Sequence, residues 1–135
     1  MISTELAREL RRAGLVWKPQ SGDRFIIDRP TFDADVFTVS DMTIEAHTYP
    51  TGTVLGFNGT TEWALDSVSL GDAVWMPQEH QLRDLLRTAF RSLELDENGL
   101  YRVTAQIGGE ERAFEQVSAA EAYGQALLAL IRLSQ

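Results

Sequence analysis

Apolar positions in the first thirteen residues recur at helical spacing, with Leu6, Leu10 and Ala13 on one stripe. Ser3 stands where an N-cap is needed, and Ile2 before it can staple the helix entry. Gly14 follows where a left-handed residue closes a helix, and Pro19 prevents the helix from resuming after Leu15-Val16-Trp17. From Arg24 to Phe57 the pattern changes to short apolar runs and period-two alternation. Phe25-Ile26-Ile27 and Val36-Phe37-Thr38-Val39 read as strands on either side of a loop over 28–35. Met42, Ile44 and Ala46 alternate with Thr43, Glu45 and His47, as in a half-buried strand. Tyr49-Pro50-Thr51-Gly52 is a turn, and the hairpin it closes sets Ala46 against Leu55 and Ile44 against Phe57.

After Asn58-Gly59, a cap at Thr60 or Thr61 opens a short helix through Trp63, Ala64 and Val68. Val74-Trp75-Met76 is a brief strand or connector. Pro77 then starts a helix whose apolar residues Leu82, Leu85, Leu86, Ala89, Phe90 and Leu93 keep helical spacing throughout, so Leu86 and Phe90 are expected in the core. Tyr101, Val103, Ala105 and Ile107 alternate with polar residues, Gly108-Gly109 turns the chain, and Arg112–Val117 returns with Phe114 on the face of Val103 and Ala105. Ser118 and Glu121 have the spacing of a capping box for the last helix. These elements predict one α+β domain over 1–135, a single antiparallel sheet packed with about four amphipathic helices.

That last helix is apolar over most of its circumference. Ala120, Tyr123, Leu127, Leu130 and Ile131 form one stripe, while Leu128 and Leu133 lie outside it. Such a helix must be covered on more than one side, by a central place over the sheet, by the first helix, or by a second chain in a homodimer.

Composition narrows the function classes. With no cysteine among its 135 residues, the chain has neither disulfides nor thiolate chemistry. Its formal net charge of −8 opposes general binding to nucleic acid or anionic membranes, and suits basic partners. All but Lys18 of the 12 basic residues are arginine. The start lacks a basic region followed by an apolar run, and the apolar stretch Ala126–Ile131 is too short to span a bilayer, so a soluble cytoplasmic protein is expected.

Three groups of residues can carry chemistry. Asn58, Gly59 and Thr60 join a strand to a helix start, where backbone N–H groups can hold an anion, but an ordinary Asn-Gly turn with a threonine cap needs the same residues. Neither a phosphate loop nor a dinucleotide fingerprint is present, and no cofactor is expected. Glu45 and His47 on one strand, with Glu62 and Asp66 a helical turn apart, are the candidate catalytic residues of a small hydrolase-type enzyme. The competing reading is a pair of solvated faces; two histidines without HExxH spacing give no metal-ligand pattern, so no metal is expected. On the helix after Pro77, His80, Arg83, Arg87 and Arg91 line the face opposite the leucines, with Glu79 and Asp84 spaced to pair with Arg83 and Arg87. Such a stripe is either a solvated face or a docking site for an acidic peptide, or for the acidic 23–41 surface of another subunit.

The order helix, strand meander, helices, hairpin, final helix, with the chain's length and acidity, resembles the type III secretion chaperone-like architecture. Its small acidic domains, usually dimers, hold peptide segments of other proteins. Separately, Val39-Ser40-Asp41-Met42-Thr43, the run from Gly56-Phe57-Asn58-Gly59 to Ala64-Leu65-Asp66-Ser67, and Gln81-Leu82-Arg83-Asp84-Leu85-Leu86 resemble a small actinobacterial family of uncharacterised proteins, some labelled pilus-assembly proteins. The first resemblance implies a non-catalytic, chaperone-like module that binds a protein or peptide; the second implies little about chemistry.

Overall fold

The computed structural model describes residues 1–29, 35–39, 44–49, 52–57 and 67–134. Between 44 and 69 the description is of backbone pairing. In chain order the elements are helix α1 (Thr4–Ala13), strands β1 (Arg24–Ile27), β2 (Val36–Thr38), β3 (Ile44–Tyr49), β4 (Gly52–Phe57), β5 (Ser67–Ser69) and β6 (Ala73–Trp75), helix α2 (Glu79–Leu86), strands β7 (Phe90–Leu95), β8 (Tyr101–Ile107) and β9 (Glu110–Gln116), and helix α3 (Ala119–Leu133). The protein is therefore α+β. The single expected sheet is replaced by three antiparallel ones, ordered β2-β1-β6, β3-β4-β5 and β7-β8-β9. Among the described residues there are three α-helices, and none is long and apolar enough to cross a membrane.

Chain contacts divide the molecule into one compact unit of Met1–Val16 with Pro77–Gln135 and another of Trp17–Met76. The first unit is built around α3. Its Ala119, Ala120, Ala122, Tyr123, Gly124, Ala126, Leu127 and Leu128 are all buried, because β8 and β9, α1 and α2 each pack against it. Each fully buried leucine there contributes roughly 1.5–3 kcal/mol. The helix thus takes the central place that its apolar circumference requires, and Leu128, 2% exposed, is covered within its own unit rather than by another chain. Leu133 stays exposed at the helix end, beside the Gly108 turn.

Local chemistry defines α1. The Ser3 hydroxyl accepts from the Leu6 N–H at 3.1 Å, and Leu6, Ala7, Leu10 and Ala13 are buried on one side. Gly14 closes the helix at φ 117, donating to the Arg11 carbonyl while Leu15 donates to that of Leu10. That pair of bonds is a Schellman closure, and glycine adopts its left-handed backbone without the Cβ penalty. α1 packs tightly against α3 at Gly124, where an added Cβ would lie 2.5 Å from Cδ2 of Leu6.

The helix starting after Pro77 is shorter than its periodicity suggests. α2 ends at Leu86, a 3-10 turn covers Arg87–Ala89, and Phe90–Leu95 is strand β7, paired antiparallel with β8. Leu86 is buried, whereas Phe90 is half-buried rather than a core residue. Pairing of Leu93 with Val103 and Leu95 with Tyr101 supplies a ladder that a longer helix would forgo. The β8–β9 hairpin keeps the expected register, with Phe114 opposite Val103.

In the second unit, Trp17, Phe25, Ile27, Phe37, Val39 and Ala73 form a core with Leu70 and Trp75 packed against it. The Trp17 ring lies 5.4 Å from Phe25 and 6.4 Å from Trp75. Asp23, 6% exposed, accepts from Trp17 Nε1 at 2.9 Å and from the Gln20 N–H at 3.1 Å, so the indole donor does not go unsatisfied. The β3–β4 hairpin pairs Ile44 with Phe57 and Ala46 with Leu55, as the alternation predicts. Val68, expected on a helix, instead lies in β5 opposite Leu55. The rest of that expected helix, 60–66, lies outside the described residues.

Candidate functional site

Only some of the expected candidate positions lie among the described residues. Glu45 and His47 fall in β3, opposite Gly56 and Val54. Glu62 and Asp66, the other two members of the expected catalytic cluster, lie outside the described residues, as do Asn58, Gly59 and Thr60. Among the described residues no three histidine, aspartate or glutamate side chains are grouped to hold a metal ion. The arginines can be followed in full, and they do not form one helical stripe. Arg83 is on α2, Arg87 begins the 3-10 turn, and Arg91 is the second residue of β7.

What replaces the stripe is a cationic rim around an apolar floor. The start of α2 is fastened by the Gln81 side chain, whose Oε1 accepts from the Gln78 N–H at 2.9 Å. Leu82 and Leu86, both fully buried, hold one side of the helix down, leaving Arg83 and Asp84 outward. At Arg87 the backbone turns to φ 53 and ψ −126, and its N–H closes on the Asp84 carbonyl. This positive φ in a non-glycine residue is a strained way to end a helix. The Arg91 guanidinium then donates to the carbonyl oxygens of Thr88 and Phe90, which braces the turn. An open depression of about 660 Å³ results, lined by Arg83, Asp84, Leu85, Arg87 and Phe90.

Tyr123 lies beneath this rim. Its ring is 5.7 Å from that of Phe90, tilted by 41°. The Arg83 guanidinium is near enough to its hydroxyl to act on its titration. Burial raises the tyrosine's pKa above the ordinary phenol value, the nearby Arg83 charge and hydrogen bond oppose that shift, and Glu79 adds to it. Tyr123 therefore remains neutral at physiological pH, and its buried ring packs against Phe90.

Arg83 and Arg87 are legible as candidate binding residues, whereas Phe90 is expected in the core, and Leu85 and Tyr123 stand in the sequence only as members of apolar helical stripes. Their signal was hidden by the long helical period, which placed Phe90 one turn after Leu86 instead of at a strand start. Chemically, two guanidiniums over a leucine and a phenylalanine suit a ligand with carboxylates and apolar side chains. Comparison with protein-family models, with curated proteins and with solved structures found no match to this chain.

Proposed function

We propose that the protein is a non-catalytic binding module that holds an acidic, partly apolar peptide segment of another protein against the Arg83–Phe90 surface. The observation carrying this reading is the exposed Arg83–Arg87 pair above Leu85 and Phe90, in a chain whose net charge is −8. A local basic rim on an acidic molecule selects its ligand by charge, and an apolar floor adds affinity once the peptide is seated. The chaperone-like resemblance points the same way, since those domains hold peptide segments of other proteins.

The test is fluorescence anisotropy with labelled peptides that combine glutamates with leucine or phenylalanine. Saturable binding is expected, falling at least about tenfold in Arg83→Glu/Arg87→Glu, equivalent to ~1.4 kcal/mol. A basic peptide of the same apolar content should reverse that preference. Indifference of acidic-peptide binding to the double charge reversal would remove this surface from consideration.

A further inference from the structure

We infer that β7 is a self-association edge, pairing antiparallel with β7 of a second copy to join two three-stranded sheets into one of six. β7 and β9 are the two edges of their sheet. They differ in character. β9 presents the exposed charges Glu110, Glu111, Arg112 and Glu115, the usual protection of a free edge. β7 carries exposed charges as well, Arg91 and Glu94, but between and beyond them it presents Leu93, 36% exposed, and Leu95, 60% exposed.

Those two leucines share a face with the buried interior. Leu93 is opposite Val103 and Leu95 is opposite Tyr101, and directly opposed residues of an antiparallel pair lie on the same side of the sheet. Val103 is completely buried, because α3 packs over β8 and β9. At β7 the helix meets Phe90 through Tyr123, while Leu93 and Leu95 further along remain open. An apolar strip therefore runs out from under α3 to a strand that, among the described residues, is an edge of its sheet. Another strand laid alongside would complete the backbone ladder and cover the strip with apolar side chains.

Charge identifies that strand as a second β7. Arg87 and Arg91 stand at its beginning, and Glu94, Asp96 and Glu97 at its end. An antiparallel neighbour of the same sequence sets the basic end of each copy toward the acidic end of the other; a parallel neighbour would oppose like charges. The register follows from the same residues. Centring on Glu94 would place two carboxylates face to face. Centring on Ser92 would set Leu95 against Ala89, in the 3-10 turn. Centring on Leu93 opposes Leu93 to itself, Ser92 to Glu94, and Arg91 to Leu95 beside Asp96. The bulge between Phe90 and Ser92 ends the regular ladder, so the pairing is short and the dimer is a weak one.

A residue on the two-fold axis faces its own copy, which makes the inference specific. Sedimentation equilibrium from micromolar to millimolar chain concentration should show the 15.1 kDa chain in reversible equilibrium with a dimer. Leu93→Lys and Leu93→Glu should each weaken that dimer at least about tenfold, ~1.4 kcal/mol, and an equimolar mixture should restore association as a heterodimer. Val117→Lys, an equally apolar but more exposed position outside β7, should dimerise like the parent. A parent monomeric at every concentration, or dimers indifferent to residue 93, overturns the inference. So does a mixture that fails to associate although each variant keeps the parental circular dichroism. If either residue-93 variant loses that spectrum, Leu95→Lys takes over the test, and a dimer as tight as the parent's then refutes it. None of these outcomes depends on peptide binding at the Arg83–Phe90 surface.

Discussion

Ser3 and Glu121 stand 118 positions apart and share two hydrogen bonds, from the Ser3 N–H to Oε2 at 3.0 Å and from its hydroxyl to Oε1 at 3.2 Å. One carboxylate therefore joins the first turns of α1 and α3. Both hydroxyls that cap these helices remain in use, Ser3 accepting from Leu6 and Ser118 from Glu121. An anion near two helix N-termini gains from both dipoles. Ser3→Ala and Glu121→Ala should each cost about 1 kcal/mol in denaturant titration, and the double variant should cost less than their sum. Strict additivity would show that the two residues do not act together.

Gly124 leaves room for the Leu6 side chain of α1 against α3. Gly124→Ala drives a methyl toward the buried Leu6 side chain, and overpacking of this kind costs about 1–3 kcal/mol despite the better helix propensity of alanine. Leu6→Ala should cost distinctly less in the Gly124→Ala background than in the parent. A thermal-denaturation cycle on the four proteins reads that coupling directly.

Leu86 and Phe90 separate in the structure, and their variants should separate in stability. Leu86 is 1% exposed, so Leu86→Ala leaves a cavity and should cost about 2–5 kcal/mol. Phe90 is half-buried against Tyr123, so Phe90→Ala should cost roughly 2 kcal/mol, below the usual range for a fully buried phenylalanine. Equal losses in equilibrium unfolding would place Phe90 in the core after all.

Arg87 holds a backbone conformation that glycine adopts freely. Arg87→Gly should therefore raise stability by about 1 kcal/mol while weakening acidic-peptide binding, whereas Arg87→Ala should weaken binding without the gain. Melting temperature and anisotropy, measured on the same two variants, separate backbone strain from charge.

Where local chemistry and pairing agree, the sequence was readable. Ser3 and Gly14 bound α1 because a cap needs only its own helix turn, and Ala46 meets Leu55 because alternation and the intervening turn impose the same register. The failures share a physical source. Leu82 to Leu93 satisfy a helical period, yet Phe90, Leu93 and Leu95 also fit a strand bent by a bulge, and the deciding partner is β8, several residues further on. Val68 was lost in the same way, since its partner Leu55 is remote in sequence. The apolar circumference of α3 was visible, but not whether α1, α2 or another chain covered it. At the site, charge identified Arg83 and Arg87, while the floor beneath them depended on where α2 stops.

The distribution of the two structural units has a spectroscopic consequence. Trp17, Trp63 and Trp75 all belong to the segment Trp17–Met76, whereas α1, α2 and α3 all belong to the other unit. Tryptophan emission thus reports on the first segment, with the Asp23-bonded indole of Trp17 a local reporter of its core. The helical circular dichroism of the described elements reports on the other unit. One thermal melt followed by both signals contains two independent records, and their coincidence or separation measures how cooperatively the two parts of the chain unfold.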